Sequence, residues 1–318
     1  MTTRAATIDA PVPVRRPANL WRDAWRRLIQ NRAAVVSLVY IGLLLLTAVF
    51  ASALAPYPFE RQDLDSTDLG PSAEHLFGTD GLGRDELSRL IYGSRISLAV
   101  ALVDVLIVLF VGMPLGLMAG FFGRWVDVLV MRTVDVLLAF PNLLLVIVVI
   151  TYLRAVLDQP QGPVLAIIGG LDGLTGGLLG VFIALGLVSW LTVARLVRGQ
   201  VLSLKEKEFI EAARMTGATN ARIVSRHLLP NTLAPVIVAA TFGIPGAIAT
   251  EAGLSFLGLG VRPPLPSWGI LIAEGVRNMR AFPHELVVPA LALAVTLICF
   301  NFLGDGLRDA LDPKLKVD

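Results

Sequence analysis

The sequence predicts an all-α polytopic membrane protein with six membrane-spanning helices. Of its 318 residues, 55% are hydrophobic and only 16% are charged, whereas soluble domains average about 25% charged residues. Uncharged runs of roughly 20 residues, the length at which a helix crosses the hydrocarbon core, recur along the chain. These two observations argue against a soluble protein with an unusually apolar core, and they make lipid the solvent for most of the surface.

Residues 1–32 form the first predicted unit, a cytoplasmic tail. They contain seven arginines against two aspartates, and an excess of arginine marks the cytoplasmic side of a membrane protein. We expect disorder over residues 1–17 and a short amphipathic helix over residues 20–32. Trp21 and Trp25 would anchor that helix at the membrane surface.

Six apolar segments are predicted to cross the membrane. The first unit of this kind, residues 33–55, lacks charged residues, which suits a retained helix better than a cleaved signal sequence. The crossings are expected at residues 35–54, 97–120, 128–153, 178–196, 233–257 and 286–303. Pro141 in the third and Pro245 in the fifth predict kinks or interruptions. Because the number is even, both chain ends lie on the cytoplasmic side.

The segments between crossings divide the rest of the chain. The loop at residues 56–95 carries eight acids against four arginines and is expected outside. Within it, a separate helix that begins near Thr79 or Asp85 is predicted to lie at the outer interface. Residues 96–305 form a five-helix core, and residues 306–318 form a cytoplasmic tail.

Two other outer features are predicted. The Gly-rich segment at residues 154–178 is too polar and too broken to cross the membrane, so we expect it outside. Trp268, in the second long outer segment, is expected to anchor at the membrane interface because tryptophan is enriched there.

Charged residues also occur within the predicted crossings. Asp104 lies in the second, and Glu251 lies near the outer end of the fifth. A charge inside the bilayer is costly and usually faces the bundle interior or a water-filled path. Two interpretations stay open for each acid: a residue of the path or gate, and a structural hydrogen-bonding group.

The third crossing has a different arrangement of charges, near its start. There, Arg132 is spaced to pair with Asp127 or Asp135 on one face of its own helix. We therefore expect an ion pair within that helix.

The polar connection at residues 204–230 lies between the fourth and fifth crossings. A helix is predicted over residues 204–216. Its weakly apolar face contains Phe209, Ala212, Ala213, Met215 and Thr216. Gly217 is expected to end this helix, since glycine tolerates the left-handed backbone that a helix terminus needs. A second short helix is expected over residues 218–228, with Pro230 stopping it before the fifth crossing.

This connection resembles the EAA loop of the membrane subunits of ABC importers. The resemblance rests on Glu211-Ala212-Ala213, Gly217 and His227-Leu228-Leu229-Pro230, with His227 standing where the family usually has isoleucine. Four other stretches resemble the C-type subunit of the dipeptide/oligopeptide permease subfamily. They are HLFGTDGLGRDELSRLIYGSRISL, MRTVDVLLAFPNLLL, EAGLSFLGLGVRPPLPSWG and NFLGDGLRDALDP.

The resemblance implies a type I ABC importer permease fold, N-in and C-in, in which residues 204–230 are a cytoplasmic coupling loop. It implies a polar contact from Glu211 to an ATPase subunit and close packing at Ala212, Ala213 and Gly217. Leu229-Pro230 would fix the angle between this loop and the fifth crossing. His227 belongs to the same ATPase-coupling set.

The resemblance also implies the partners. These are a second, homologous permease in a heterodimer, two cytoplasmic ATPases, an extracytoplasmic solute-binding protein and the lipid bilayer of the bacterial inner membrane; nucleic acid is not among them. The chain would be no enzyme and hold no cofactor or metal, with ATP and magnesium bound by the ATPases. The sequence agrees, because it contains no Gly-x-x-x-x-Gly-Lys-Ser/Thr phosphate loop.

The predicted function is therefore ATP-driven import of dipeptides or oligopeptides. Nickel chelates, glutathione or another non-peptide solute stay open as substrates, because specificity lies largely in the external binding protein. A stand-alone secondary transporter is the alternative from a different class. It would favour charges clustered at mid-span and an internal repeat, of which only Asp104 gives any sign.

Overall fold

The computed structural model describes residues 20–312, and it is helical along most of that range. Within these residues, five helices are long and apolar enough to cross a membrane. A sixth crossing arises if the bent pair Arg124–Leu138 and Asn142–Asp158, whose halves meet at 94°, is one span. The expectations for residues 1–17 and for the end of the C-terminal tail lie outside the described residues.

The six candidate spans follow the order of the predicted crossings. Spans one to six are Arg32–Val49, Glu86–Phe122, the bent pair, Leu178–Leu204, Asn220–Phe256 and Pro283–Leu311. The shorter α-helices are Leu20–Leu28, Ala51–Leu54, Pro163–Leu174, Glu208–Met215 and Trp268–Asn278. The kink expected at Pro141 is a break, because Pro141 has an extended ψ of 123° and only precedes the second half of span three.

The inner half of span two packs against span four along a stripe of glycines. A Cβ atom on Gly116 would lie 2.6 Å from the carbonyl oxygen of Ala194, and one on Gly120 would lie 2.7 Å from Cβ of Val201. Gly112 faces Trp190 in the same way. Small residues let helix backbones approach closely where lipid gives no hydrophobic drive for association. Spans two and four are therefore in backbone contact.

Apolar side chains cover the outside of the bundle as well as its core. On span one, Val36, Val39 and Leu43 are all exposed. Such a surface would be an aggregation risk in water. It is the expected surface of a helix whose solvent is hydrocarbon.

The helix expected at the outer interface is not a separate element. Asp85 does cap a helix that begins at Glu86, since its carboxylate accepts a hydrogen bond from the Ser88 N–H at 2.8 Å. However, this helix continues for 37 residues through span two, with a π turn at Val108–Gly112. At about 1.5 Å per residue it is roughly 55 Å long, so it exceeds the ~30 Å hydrocarbon core. The interfacial helix and span two are one rod.

Span five is also more continuous than predicted. The stop at Pro230 and the interruption at Pro245 are wrong, because one helix runs over Asn220–Phe256. The second short helix is present at residues 220–228, but it continues directly into span five. A π turn at Val224–Leu228 lies immediately before Pro230. Because the register of helical hydrogen bonds already changes there, the lack of an N–H on Pro230 does not end the helix.

Trp268 does not anchor the protein at a membrane interface. Its side chain is only 1% exposed, and its Nε1–H donates a hydrogen bond to the carbonyl oxygen of Leu90 at 3.1 Å. The ring packs against Gly93 of span two. Trp268 therefore fastens the outer helix Trp268–Asn278 to the protein.

The Gly-rich segment contains a helix, Pro163–Leu174, of 12 residues. At roughly 18 Å it is too short to cross the membrane alone. Its Asp172 is buried and accepts a hydrogen bond from the Gly180 N–H at 2.9 Å. Arg262 of the second outer segment lies between Asp172, at 3.6 Å, and Asp158, at 2.7 Å. The segment is thus tied to its neighbours by charge.

The ion pair expected within span three is replaced by pairs to span four. Arg198 Nη2 donates to Asp127 Oδ2 at 2.6 Å, and Arg195 Nη2 donates to Asp135 Oδ1 at 2.6 Å. A partner on a neighbouring helix competes with the local Arg132. Both pairs fasten the first half of span three to the end of span four.

Candidate coupling site and translocation cavity

The coupling helix, Glu208–Met215, ends as the sequence predicts. Gly217 has a φ of +80°, in the left-handed region that glycine tolerates. Its N–H donates to the carbonyl of Arg214 at 2.9 Å, and the N–H of Ala218 donates to the carbonyl of Ala213 at 3.0 Å. This pair of bonds is a Schellman motif, which satisfies carbonyl groups that a helix end leaves unpaired.

One face of the coupling helix is fixed to the membrane core. Ile210 is fully buried and belongs to a cluster with Ile223 and Leu228. The same cluster contains side chains of spans two, four and five: Leu117, Val193, Val197, Val201, Val236 and Ala240. The coupling helix is therefore packed directly onto the helices that it would move.

The other face of the coupling helix is open. It forms one wall of a groove of about 520 Å³. The groove is lined by Phe209, Ala212, Ala213, Thr216, Ala218, Arg222, Arg226 and His227. The small Ala212 and Ala213 leave room for a close approach, and the rings of Phe209 and His227 are 6.2 Å apart. Arg222 and Arg226 make the groove basic.

The structure brings together three of the predicted coupling residues and separates the others. Ala212, Ala213 and His227 line the groove. Glu211 is exposed but does not line it, and Pro230 is exposed beyond the π turn. Leu229 packs partly buried against the core cluster.

Arg222 and Arg226 are groove residues that the prediction of site residues missed. Their spacing of four places them on one face of a helix, and this was the signal that could have found them. The predicted helix over residues 218–228 already places both arginines on one face, but only the packing shows that this face lines the groove.

A cavity of about 460 Å³ lies among spans two, three, four and five. Its lining is mostly apolar, with a few hydroxyl and amide groups. The lining residues are Asp104, Val108, Leu138, Asn142, Val146, Leu185, Val188, Ser189, Thr192, Val193, Ala239, Phe242, Gly243, Gly246, Ala247 and Thr250. Its position among the spans that carry the coupling helix makes it the candidate translocation cavity.

The two acids predicted within the spans have different surroundings. Asp104 is 4% exposed and lines the cavity. Glu251 is fully buried, does not line it, and accepts a hydrogen bond from the Ser255 hydroxyl at 2.6 Å. Of the pair, Asp104 is thus the one placed to meet a solute in this cavity.

A largely buried network of charges lies at the outer end of the molecule. Arg89 Nη1 lies 2.7 Å from Glu274 Oε2 and also contacts Asp80. Arg84 Nε donates to Asp80 Oδ2 at 2.7 Å and Nη2 to Glu274 Oε1 at 3.2 Å. These bonds join the outer loop and the start of span two to the helix Trp268–Asn278. Sequence reasoning did not find the network, because Glu274, the acid that joins Arg84 and Arg89 to the second outer segment, is far from them along the chain.

Comparison with known families gives two matches that together cover most of the chain. Residues 112–317 match the family of the binding-protein-dependent transport system inner membrane component. Residues 19–71 match the N-terminal transmembrane domain of oligopeptide transport permease C.

Whole-length relatives agree with the family matches. The dipeptide transport system permease of Alkalihalophilus pseudofirmus is 41% identical over 93% of this chain and 90% of its own. The glutathione transport system permease of Pectobacterium atrosepticum is 42% identical over 98% of each. The oligopeptide transport system permease of Escherichia coli K12 is 43% identical over 93% of this chain and 92% of its own.

A solved structure supports the fold independently. The inward-facing methionine ABC transporter MetNI superposes with a TM-score of 0.53 at 21% identity, over 71% of this chain and 97% of that one. At this identity the match concerns the fold alone. With the family matches and the helical spans, it establishes the type I importer permease fold. The chain belongs to the binding-protein-dependent transport system inner membrane components, as a multi-pass permease subunit of an ABC importer related to the C-type oligopeptide permeases.

Proposed function

We propose that this subunit imports dipeptides or oligopeptides, with force from ATP hydrolysis applied at the coupling groove. The observation that carries the proposal is the two-sided coupling helix. Its Ile210 face is buried in the membrane core, while its Phe209 face is open. A partner held in the groove is thereby linked to spans two, four and five without a flexible connection.

The proposed mechanism is alternating access. When two ATPases close on ATP, the surface seated in each groove displaces the coupling helix. Because Ile210 packs in one cluster with Val201 of span four and Val236 of span five, those spans move with it. The cavity lies between the same spans, so a rigid-body shift opens it to one side and then the other.

The groove also suggests the chemistry of its partner. Arg222 and Arg226 favour an acidic surface on the ATPase, since complementary charge speeds and orients association. Glu211, exposed beside the groove, would add a polar contact. ATP and magnesium would be held by the ATPases, and a second, different permease would complete a heterodimer around the path. An external binding protein would deliver the solute.

Peptides are the preferred substrate class because two of the relatives above are named for peptide transport. The glutathione permease of Pectobacterium atrosepticum, at 42% identity, makes glutathione, a γ-linked tripeptide, the second candidate. Uptake of a panel of dipeptides, oligopeptides, glutathione and nickel chelates by the complete transporter in proteoliposomes would separate them. We expect peptide uptake only when ATP is supplied on the side of the membrane where the ATPases are bound.

The coupling role is tested with Gly217→Val. A β-branched residue at a φ of +80° is strained by about 1–2 kcal/mol, so the end of the coupling helix must rearrange. We expect normal assembly but several-fold less solute moved per ATP hydrolysed. The measurement is simultaneous uptake and phosphate release in proteoliposomes.

Gly258→Val is the matched control, because Gly258 has a φ of +79°, ends its helix with the same pair of hydrogen bonds, and has no atom within 4 Å of a new Cβ. It lies at the end of span five, away from the groove. Equal uncoupling by both variants would contradict a specific role for the coupling helix. Uptake by the permease alone, without ATPases, would instead establish a secondary transporter.

A further inference from the structure

Only one of the two carboxylate oxygens of Asp104 accepts a hydrogen bond from the residues that the structure describes. Its Oδ1 accepts a hydrogen bond from the Ser189 hydroxyl of span four. Its Oδ2 is buried and has no hydrogen-bond partner among residues 20–312. The unpaired oxygen belongs to a side chain that lines the cavity between spans two to five.

Span five approaches this oxygen closely. A Cβ atom on Gly243 would lie 3.1 Å from Oδ2 of Asp104, closer than an ordinary contact. Gly243 and Gly246 both line the cavity. Glycine at this position lets the backbone of span five lie beside the carboxylate, and it brings no side chain that could bond to Oδ2.

The surroundings make a cation the fitting occupant. Among the described residues that line the cavity, Asp104 is the one with an ionisable side chain. A carboxylate held away from water is costly unless a positive group or several hydrogen bonds compensate it. Functional charges inside spans are found facing water-filled cavities and pairing with their ligands. A hydroxyl on one oxygen orients Asp104, and the other oxygen has no hydrogen-bond partner among the described residues.

We propose that Asp104 is a cation-recognition site of the translocation cavity, which binds the ammonium or guanidinium group of a passing solute. A volume of about 460 Å³ falls in the range of small-ligand sites, roughly 300–1,000 Å³. Ser189 fixes the carboxylate, and the apolar walls hold the uncharged part of the solute. The inference rests on the proposed function, because it assumes that solutes enter this cavity.

The test measures equilibrium binding to the complete transporter in nanodiscs, without binding protein, by saturation-transfer NMR. The probes are alanyl-alanine amide, which carries an ammonium group, and N-acetyl-alanyl-alanine amide, which does not. We expect the wild-type transporter to bind the cationic probe at least about tenfold more tightly, and Asp104→Asn to reduce the ratio to within about twofold.

Two further variants separate a cation site from a general effect of removing a buried acid. Gly243→Ala places a methyl group before Oδ2 but keeps the charge, and we expect a several-fold loss of the preference. Asp172→Asn neutralises a buried acid that does not line the cavity, and we expect the preference to persist. Size-exclusion chromatography checks that each complex assembles.

The inference is overturned if the wild type shows no preference, or if either Asp104→Asn or Gly243→Ala keeps it in full. If Asp104→Asn weakened the binding of both probes equally, Asp104 would be a structural residue, and the inference would be overturned as well. Because these assays need no transport, failure of ATP-driven uptake would reject the proposed function without deciding the cation site.

Discussion

Charged residues at the two ends of the molecule are used in opposite ways. At the outer end, Arg89 is 1% exposed and is held between Asp80 and Glu274. At the coupling groove, Arg222 and Arg226 are exposed and line an open surface. At the outer end the chain's own residues pair with the arginine, while the groove leaves its charges for another protein. Burial, not charge, therefore distinguishes a structural arginine from an interaction arginine here.

The largest expected difference between the two ends is in stability. Arg89→Met removes the more deeply buried of the two cations and leaves Arg84 alone to compensate Asp80 and Glu274. Breaking a buried pair by removing one partner typically costs about 3–5 kcal/mol. We expect a clear fall in the melting temperature of the purified transporter, measured by differential scanning fluorimetry in detergent.

Arg226→Met is the matched control for that experiment, because it makes the same chemical change on the exposed groove. We expect its melting temperature to stay near that of the wild type, while association with the ATPases weakens. If both variants lost the same stability, the contrast between the two ends would be wrong.

The two faces of the coupling helix allow the same comparison, and here we expect an intermediate loss of stability. Ile210→Ala empties a fully buried site, and such truncations cost about 2–5 kcal/mol. We expect faster amide hydrogen exchange over Glu208–Met215, because the helix loses its attachment to the core. Hydrogen-exchange mass spectrometry of the complete transporter measures this directly.

Phe209→Ala tests the open face of the same helix. Phe209 is 43% exposed and lines the groove, so its loss removes little internal packing. We expect unchanged exchange in the free permease and weaker ATPase binding in a pull-down. Faster exchange in Phe209→Ala than in Ile210→Ala would reverse the assignment of the two faces.

The smallest effect is expected at the pair Asp135–Arg195, whose side chains are 57% and 52% exposed. Exposed ion pairs contribute about 0–1 kcal/mol and are screened by salt. Asp135→Asn should therefore shift the melting temperature by no more than a degree or two in 0.15 M salt. A loss as large as that of Arg89→Met would show that exposure is a poor guide to the strength of these pairs.

The spans were predictable because a helix in lipid must be apolar over a fixed length, and that signal is local in sequence. Continuity was not. Pro230 and Pro245 are strong helix breakers in water, but a π turn and neighbouring helices accommodate them here. Trp268 was assigned to the interface from residue type alone, whereas Gly93 on a distant span creates the space that buries it.

The coupling site was predictable where local backbone geometry decides it. Gly217 ends its helix through its own φ and two nearby hydrogen bonds. Asp104 and Glu251 could not be told apart, since both are acids in apolar runs. What separates them is the helix face on which each lies, and which neighbours fill the space there. That information depends on the packing of all four spans around the cavity.

The backbone contact at Gly116 and Gly120 limits how this subunit can change shape. Two rods whose main chains touch have no side-chain layer that could shear, so sliding one along the other drives carbonyl oxygens into carbon atoms. Spans two and four must then move together as one rigid body. The bending that transport requires must then occur elsewhere, and the right-angled corner before Asn142, where Pro141 has no N–H to donate to the preceding helix, is a suitable hinge.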